Sequence, residues 1–440
     1  MTLGVLTVAT ATLGVAGVFR GPHLDDAGVA AATALERPGQ RLVLQADQQI
    51  DPVDAGDVTI SPDVPVEVSS DGRAITIRFG GMLRALTEYR VAVAVTGTAT
   101  GVAGILDYSF TTPDLEVATL VRDLDGSDEV RSRTVSGDEA VTLLSADRIQ
   151  EFAVARDGVA AVLLDESGTD GRLVLAPTGE QITLEVPLPG PGRLRRLQAA
   201  PTTGILGVLF TSREEGADSR LLLFDPADPS GLVRVVTGLD GEPVSALDWR
   251  FVPGTSYLVV QAFDQSMLLV DTATPDAAPV PLGEHAEMRG FLPGTRRLVV
   301  ADPLSGGLID LETGETSTLE LPDDRLDETA YRGEIVALGD DRYVEVVSHP
   351  GADFVLDYEI LLVGPDGVEV IYDRDAGIPI ADVCLSPNAQ YLAVEVQDPQ
   401  GTPDGYPNVP GRTGTTTYFV DLETGSANRG VAGFAASWCA

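Results

Sequence analysis

Short stretches in which apolar and polar residues alternate cover most of the chain from about Gln40 onward. They are rich in β-branched residues, and Gly, Pro or Asp separates them, as in the turns at residues 61–62 and 71–72. A two-residue period with turn residues at this spacing is typical of β-strands joined by tight turns. The sequence therefore predicts an all-β protein.

The N-terminal segment differs from the rest, because residues 1–19 carry no charged side chain. About 17 to 25 apolar residues cross a bilayer as a helix, so this segment is predicted to be a transmembrane helix. Residues 20–37 mix small and charged residues without a period, which predicts a stalk. Arg20 follows the segment, although basic residues favour the cytoplasmic side. Either the true start lies upstream of Met1 or the orientation is set otherwise, and cleavage would give a secreted protein.

Residues 38–113 contain six or seven predicted short strands, which indicates a small β-sandwich. Their strand and corner sequences resemble the bacterial Ig-like module of the SbsA type. The resemblance rests on LQADQQID (44–51), VTISP (58–62), LTEYRV (86–91) and FTTP (110–113). It implies a spacer or adhesive unit at the cell surface and brings no active site with it.

An internal repeat with a period of about 40 to 50 residues fills the predicted domain 114–440. Each copy reads as an apolar strand, a tight turn and a second apolar strand, followed by another hairpin. The clearest copies are LDWRFVPGTSYLVV (247–260), MRGFLPGTRRLVV (288–300) and DVCLSPNAQYLAV (382–394). Four strands per unit at this period predict the blades of a β-propeller.

Six complete units are found, and the remaining strands lie at the two ends of the domain. We expect residues 430–438 to add an inner strand to the three outer strands near the front, which would close a seven-bladed ring. In that alignment Trp438 takes the place of Trp249, and Cys439 matches Cys384 in the neighbouring blade. The two cysteines are therefore predicted to form a disulfide, which favours an extracytoplasmic location.

The phrase SPNAQYLAV together with the DLETG hairpins resembles the repeat of TolB-like and WD40-like bacterial propellers. The resemblance covers about residues 116–440. That family consists chiefly of binding platforms, so it implies a fold and a binding role. Several copies replace the usual Asp-Gly turn with Pro-Gly-Thr or Asn-Ala, and no hydrolase domain follows the repeat.

Composition excludes several kinds of chemistry. All 29 basic residues are arginine, which rules out a P-loop lysine or a Schiff-base lysine. The net charge of −38 argues against a nucleic-acid partner. Only three histidines occur, without zinc-binding spacing, and there is no Gly-x-Ser-x-Gly elbow. We predict no catalytic residue, no metal site and no cofactor.

Two charged segments have competing interpretations. The acidic stretch RDLDGSDEV (122–130) is better explained as a hairpin turn than as a calcium loop, because the glycine is misplaced for an EF-hand. The basic cluster GRLRRLQ (192–198) is interpreted as a solvated edge or a set of internal ion pairs, with an anion site as the alternative.

Three connections between second and third strands, 213–219, 349–358 and 398–414, are expected on one face of the propeller. The last is long for a hairpin and rich in Pro and Gly, and long ordered loops are often functional. The residues predicted to contact a partner are Tyr406, Arg412, Tyr358, Asp357 and His349.

The sequence thus predicts a single-pass membrane protein with the bulk of the chain outside the cytoplasm. The propeller would bind a protein or a cell-envelope polymer without catalysis, and the Ig-like unit would hold it away from the membrane. The alternative is a propeller hydrolase, lactonase-like or glycosidase-like, that uses channel carboxylates and a metal.

Overall fold

The structure is a computed structural model that describes residues 20–137, 139–179, 183–214, 218–228, 231, 233–303, 305–319, 330–351, 355–374 and 377–439. The chain divides into two compact units, Met1–Leu115 and Glu116–Ala440. The predicted membrane segment, residues 1–19, lies outside the described residues. Among those that are described, no helix has the length and apolar character needed to cross a bilayer.

The first unit contains two antiparallel sheets, with strand orders β1-β2-β5-β4 and β3-β6-β7. The strands are β1 (Leu24–Val29), β2 (Arg41–Ala46), β3 (Val58–Ser61), β4 (Val66–Asp71), β5 (Ala74–Phe79), β6 (Glu88–Thr96) and β7 (Ala103–Thr111). Helix α1 (Thr33–Glu36) and a 3-10 turn (Ala55–Asp57) connect strands. The rings of Phe79 and Phe110 lie 6.3 Å apart and join the two sheets. The likeness to an SbsA-type module remains a prediction.

The segment predicted as a stalk, residues 20–37, belongs to this unit, so that prediction was wrong. Strand β1 pairs with β2 from Leu24 opposite Ala46 to Val29 opposite Leu42. Strand β1 lies at the edge of its sheet, and none of its side chains is buried. An edge strand held mainly by backbone hydrogen bonds leaves no apolar period in the sequence.

The second unit comprises seven consecutive antiparallel sheets in the part of the chain that the structure describes. The first has three strands, β8 (Glu116–Val121), β9 (Asp128–Thr134) and β10 (Val141–Ala146). The second has β11 (Ile149–Ala155), β12 (Gly158–Leu164), β13 (Gly171–Pro177) and β14 (Leu184–Glu185). The third has β15 (Gly192–Ala199), β16 (Leu206–Ser212), β17 (Arg220–Phe224) and β18 (Arg234–Val235).

The remaining four sheets repeat the same up-and-down order. The fourth has β19 (Ala246–Phe251), β20 (Tyr257–Ala262), β21 (Ser266–Asp271) and β22 (Val280–Glu284). The fifth has β23 (Glu287–Phe291), β24 (Arg297–Asp302), β25 (Ser305–Asp310) and β26 (Thr316–Leu319). The sixth has β27 (Tyr331–Ala337), β28 (Tyr343–Pro350), β29 (Leu356–Gly364) and β30 (Gly367–Asp373). The seventh has β31 (Ile380–Leu385), β32 (Tyr391–Val396), β33 (Thr416–Asp421) and β34 (Val431–Ala432). Such a series of four-stranded sheets is the architecture of a β-propeller.

Apolar side chains of the middle strands form the core between neighbouring sheets. All seven residues of β12 are buried, because both faces of this strand are covered. Trp249 of β19 is fully buried and packs against the backbone of β16. A Cβ atom at Gly207 would lie 2.3 Å from the Trp249 ring, so only glycine allows this close approach.

The C-terminal segment lies against the first sheet, but not as the predicted full strand. Phe434 and Leu120 of β8 exchange backbone hydrogen bonds of 2.8 and 3.0 Å. Positive φ angles at Gly433 (113°) and Ala435 (51°) interrupt the extended conformation on both sides of this bridge. Trp438 therefore lies in a turn beyond the bridge and does not take the place of Trp249.

The predicted disulfide is present, with 5.3 Å between the Cα atoms of Cys384 and Cys439. Cys384 belongs to β31, the first strand of the last sheet. Cys439 lies in the turn after the bridge to β8. The cross-link thus attaches the C-terminal segment to the last sheet, while Phe434 attaches it to the first.

Candidate functional site

In the second unit, the first strand of each of the six four-stranded sheets contains an irregularity in its pairing with the second strand. In β15 the shift falls between Arg195 and Gln198, and in β27 between Arg332 and Ile335. A β-bulge leaves extra residues unpaired and redirects their side chains. The bulges of four consecutive sheets border one cavity.

This cavity, which we call the channel pocket, has a volume of about 660 Å³ and opens among β15, β19, β23 and β27. Small-molecule sites usually have volumes of about 300–1,000 Å³. Its basic lining residues are Arg195, Arg196, Arg250 and Arg289. Its acidic lining residues are Asp248, Glu287 and Glu334. The pocket is therefore strongly polar and carries both signs of charge.

The arginines differ in how they are used. The Nε atom of Arg196 lies 3.5 Å from the Oδ1 atom of Asp248, and Arg289 donates a hydrogen bond of 3.1 Å to Glu287. Arg195 is half-buried, and no described residue accepts a hydrogen bond from its guanidinium or forms an ion pair with it. Arg195 thus presents unused donors to the pocket.

Buried carboxyl groups lie beside the pocket. Glu334 of β27 and Asp382 of β31 share a side-chain hydrogen bond. Burial, and then the nearby Asp382, raise the pKa of Glu334 to about 7. Burial also raises the pKa of Asp382. Two carboxyl groups in hydrogen-bond contact cannot both ionise easily, so this pair retains a proton near neutral pH.

Glu395 of β32 connects this acidic region to the C-terminal segment. Its carboxyl accepts a hydrogen bond from the backbone N–H of Ala435. Burial, and then the charge of Asp382, raise the pKa of Glu395 to about 8. Glu395 is therefore protonated at neutral pH while one of its oxygens still holds the C-terminal segment.

The long loop at residues 398–414, which we call the latch loop, reaches from the last sheet to the first and the third. Its Asp404 forms an ion pair with Arg122, and both side chains are 3% exposed. The Tyr406 hydroxyl donates to Asp128, and its ring lies 3.6 Å from the Arg122 guanidinium. The Asn408 side chain donates to the carbonyl oxygen of Leu194 in β15 over 3.2 Å. The loop fastens non-adjacent parts of the propeller together.

The five predicted partner-binding residues fall into two groups. Tyr406 and Arg412 belong to the latch loop, where Arg412 donates to the carbonyl oxygen of Gly401. His349 lies in β28 rather than in a loop, and Asp357 and Tyr358 lie in β29. The pairing of β28 with β29 extends to these residues, and His349 lies opposite Asp357. The Nε2 atom of His349 also lies 2.7 Å from the side chain of Glu359. Contact of either group with a partner remains a prediction.

The basic cluster around Arg195 was visible in the sequence, but the other charged residues of the pocket were not predicted. A signal was present: strands predicted to be inner carry charges in the repeats LDWRF (247–251), MRGF (288–291), RGEIVA (332–337) and DVCL (382–385). Charged residues at the start of otherwise buried strands point to a polar channel. Within the described residues, no three His, Cys, Asp or Glu side chains are arranged to hold a metal ion.

No family model and no curated protein matches this sequence. Among solved structures, TolB from Acinetobacter baumannii is 12% identical, with a TM-score of 0.38, and the match covers 81% of this chain and 80% of that chain. Dihydro-heme d1 dehydrogenase NirN is 12% identical, with a TM-score of 0.43 and coverages of 79% and 72%.

An auxiliary nutrient binding protein from Bacteroides ovatus is 11% identical, with a TM-score of 0.33, and the match covers 86% of this chain and 96% of that chain. One of these three proteins is thus a nutrient-binding protein and another a dehydrogenase.

Proposed function

We propose that this protein is a non-enzymatic binding protein of the cell envelope that takes a polar ligand into the channel pocket of a closed seven-bladed propeller. The observation that carries the proposal is the combination of a cavity of about 660 Å³ with a charged lining in which Arg195 has no described partner. Guanidinium groups with free donors in a preformed cavity favour ligand binding. The ligand would be a segment of a cell-envelope polymer or a small polar molecule.

The pocket is a better candidate than the latch loop. The polar groups of Asp404 and Tyr406 already bind Arg122 and Asp128 inside the protein. A side chain that gives its hydrogen bonds to the fold has little left for a partner. The latch loop would instead support the ring that surrounds the pocket.

Three observations support the closed ring and its location. Phe434 bridges to β8, and its side chain joins the apolar cluster of the first two sheets. The side chain of Asn428, in the connection between β33 and β34 of the last sheet, donates to the carbonyl oxygen of Val135 after β9. The disulfide favours an oxidising compartment. We propose that residues 1–19 anchor the chain in the membrane and that the first unit acts as an Ig-like spacer.

The test is co-sedimentation of the full chain with purified cell envelopes of its source. Ala286 lines the pocket, so Ala286→Trp would fill part of it. Val280 is 53% exposed on an outer strand, so Val280→Trp adds the same ring elsewhere and serves as the control. We expect the first variant to lose binding and the second to keep it, with both folded by circular dichroism. Equal binding by both variants would remove the pocket from the proposal.

A second candidate, a propeller hydrolase, is favoured by one observation, the hydrogen-bonded carboxyl pair of Glu334 and Asp382. A carboxyl that keeps its proton near neutrality is able to act as a general acid. A screen of chromogenic glycosides and lactones would test it. Turnover by the wild-type chain that disappears in Glu334→Gln would support the hydrolase. If the wild-type chain turned over none of these substrates, the binding protein would remain the proposed function.

A further inference from the structure

We propose that the ligand of the channel pocket carries an anionic group, a carboxylate, sulfate or phosphate, that binds at Arg195 and Arg196. This inference rests on the proposed function, because it names the chemical class of the ligand for the same pocket. It is carried by the charge balance of the lining, by the unused donors of Arg195 and by the way the bulge in β15 is held.

The charge balance of the pocket is unlike that of the chain. The whole chain carries a net charge of −38, yet four of its 29 arginines line this one cavity. Two of the three acidic lining residues, Asp248 and Glu287, already face an arginine partner. Glu334, the third, shares a proton with Asp382 through their hydrogen bond. An anion that enters the pocket therefore meets more arginine side chains than unpaired carboxylates.

The bulge that presents Arg195 and Arg196 is strained and is held by its neighbours. Arg196 has a φ angle of 55°, a left-handed conformation that is unfavourable for a residue with a side chain. On one side the backbone N–H of Leu197 donates to Glu151 of β11 over 2.9 Å. Backbone strain that the surroundings maintain is often found at functional sites.

On the other side of the bulge, Trp249 of β19 holds the same residues. Its indole N–H donates to the carbonyl oxygen of Arg196 over 3.0 Å. The side chain of Gln198 donates to the backbone carbonyl oxygen of Trp249 over 3.1 Å. Both neighbouring sheets thus fix the bulge, so Arg195 and Arg196 are pre-organised before any ligand arrives.

Arginine suits this role because its planar guanidinium makes two parallel hydrogen bonds to a carboxylate, sulfate or phosphate. The lining of the pocket also includes Glu287 and Glu334, whose oxygens suit hydroxyl groups. The combination fits a hydroxylated molecule with one acidic group, of the kind found in acidic glycans of the cell envelope.

Isothermal titration calorimetry of the full chain tests this with D-glucuronate, inorganic sulfate, inorganic phosphate and neutral D-glucose as probes. D-glucuronate is expected to bind at least about tenfold more tightly than D-glucose and to weaken as salt rises. Sulfate or phosphate binding without D-glucuronate binding would identify an inorganic anion site and overturn the glycan class. Equal binding of D-glucuronate and D-glucose would overturn the inference, as would no heat with any anion.

Arg195→Gln and Arg193→Gln form the matched pair of variants. Arg193 lies two residues away on the same strand, is exposed and does not line the pocket. Arg195→Gln is expected to lower D-glucuronate affinity about tenfold, and Arg193→Gln to leave it unchanged. Envelope binding lost in Ala286→Trp but kept in Arg195→Gln would overturn the anionic class and leave the proposed function standing. If neither variant lost envelope binding, the proposed function would fall as well.

Discussion

Arg122, which holds the latch loop, and Arg195, which lines the channel pocket, are used by the fold in opposite ways. Arg122 donates to Asp404 and to the carbonyl oxygens of Ile149, Gln150 and Val409. The guanidinium of Arg195 has no hydrogen-bond or ion-pair partner among the described residues. A guanidinium that gives most of its hydrogen bonds to the protein stabilises the structure, whereas one with open donors is available to a ligand.

The largest loss of stability is expected when the ion pair between Arg122 and Asp404 is broken. Asp404→Ala removes the carboxylate that faces Arg122 and leaves a buried, unpaired positive charge. Breaking a buried ion pair on one side typically destabilises a protein by about 3–5 kcal/mol. Urea unfolding followed by tryptophan fluorescence measures this loss for the propeller alone, because both tryptophans, Trp249 and Trp438, lie in the second unit.

The control for the latch is an exposed ion pair in the same unit. Arg172 and Glu185 have side chains that are 55% and 59% exposed. Surface pairs contribute about 0–1 kcal/mol, so Arg172→Gln is expected to change stability little. Equal losses in the two variants would contradict the structural role given to Arg122.

The cross-link is expected to have the next largest effect. The disulfide joins residues 55 positions apart and attaches the C-terminal segment to the last sheet. The double variant Cys384→Ser/Cys439→Ser is expected to lower the free energy of unfolding by about 2–4 kcal/mol. The same fluorescence assay measures it, and no change would mean that the bridge to Leu120 holds the segment without the cross-link.

Stability is expected to fall as pH rises, because of the buried carboxyls. The folded-state pKa values of Glu334 and Glu395, about 7 and about 8, lie above that of an unfolded glutamate. The folded state therefore binds more protons, and stability that is fully present below about pH 4.5 is lost progressively as pH rises through 8.

Glu395→Gln isolates this contribution. The amide keeps an oxygen for the backbone N–H of Ala435 but does not titrate. We expect a shallower fall of melting temperature between pH 5 and 8 than in the wild-type chain. Glu185→Gln, at an exposed ion pair, is the control and is expected to keep the wild-type slope. A steeper slope in Glu395→Gln would contradict the protonated state of Glu395.

The smallest effect is expected at Trp438. Its indole N–H donates to the carbonyl oxygen of Glu116 over 3.1 Å, and its ring lies 5.3 Å from that of Phe419. Trp438→Phe keeps an aromatic ring and loses the hydrogen bond, so the expected loss is about 1 kcal/mol. Trp249 remains as the fluorescent reporter. A loss of unfolding free energy as large as that of Asp404→Ala would contradict the minor structural role given to Trp438.

The sheets were predictable because buried strands and tight turns leave local marks in the sequence. The repeats around residues 247–260 and 382–394 each became the first two strands of a sheet. The ion pair between Arg122 and Asp404 was not predictable, because the two residues are 282 positions apart and meet only in the folded chain. The prediction of a full C-terminal strand was wrong for a local reason, because Ala435 adopts a positive φ angle that interrupts the extended conformation.

The candidate site was visible in part. The basic cluster at residues 192–198 stood out in the sequence. The bulge after Arg195 and the strained Arg196 decide which side chain reaches the pocket, and a bulge has no fixed sequence pattern. Glu334 and Asp382 come from different sheets, so their hydrogen bond depends on packing that no local pattern contains.

The most direct test of the central claim, that the channel pocket rather than the latch loop binds the ligand, is hydrogen–deuterium exchange of the full chain with and without solubilised fragments of its cell envelope. The account predicts that the fragments protect backbone amides in the pocket-lining strands β15, β19 and β23, around residues 193–198, 246–250 and 287–291. Protection confined to residues 400–412 and 349–358 would contradict it and would return the binding site to the loop face.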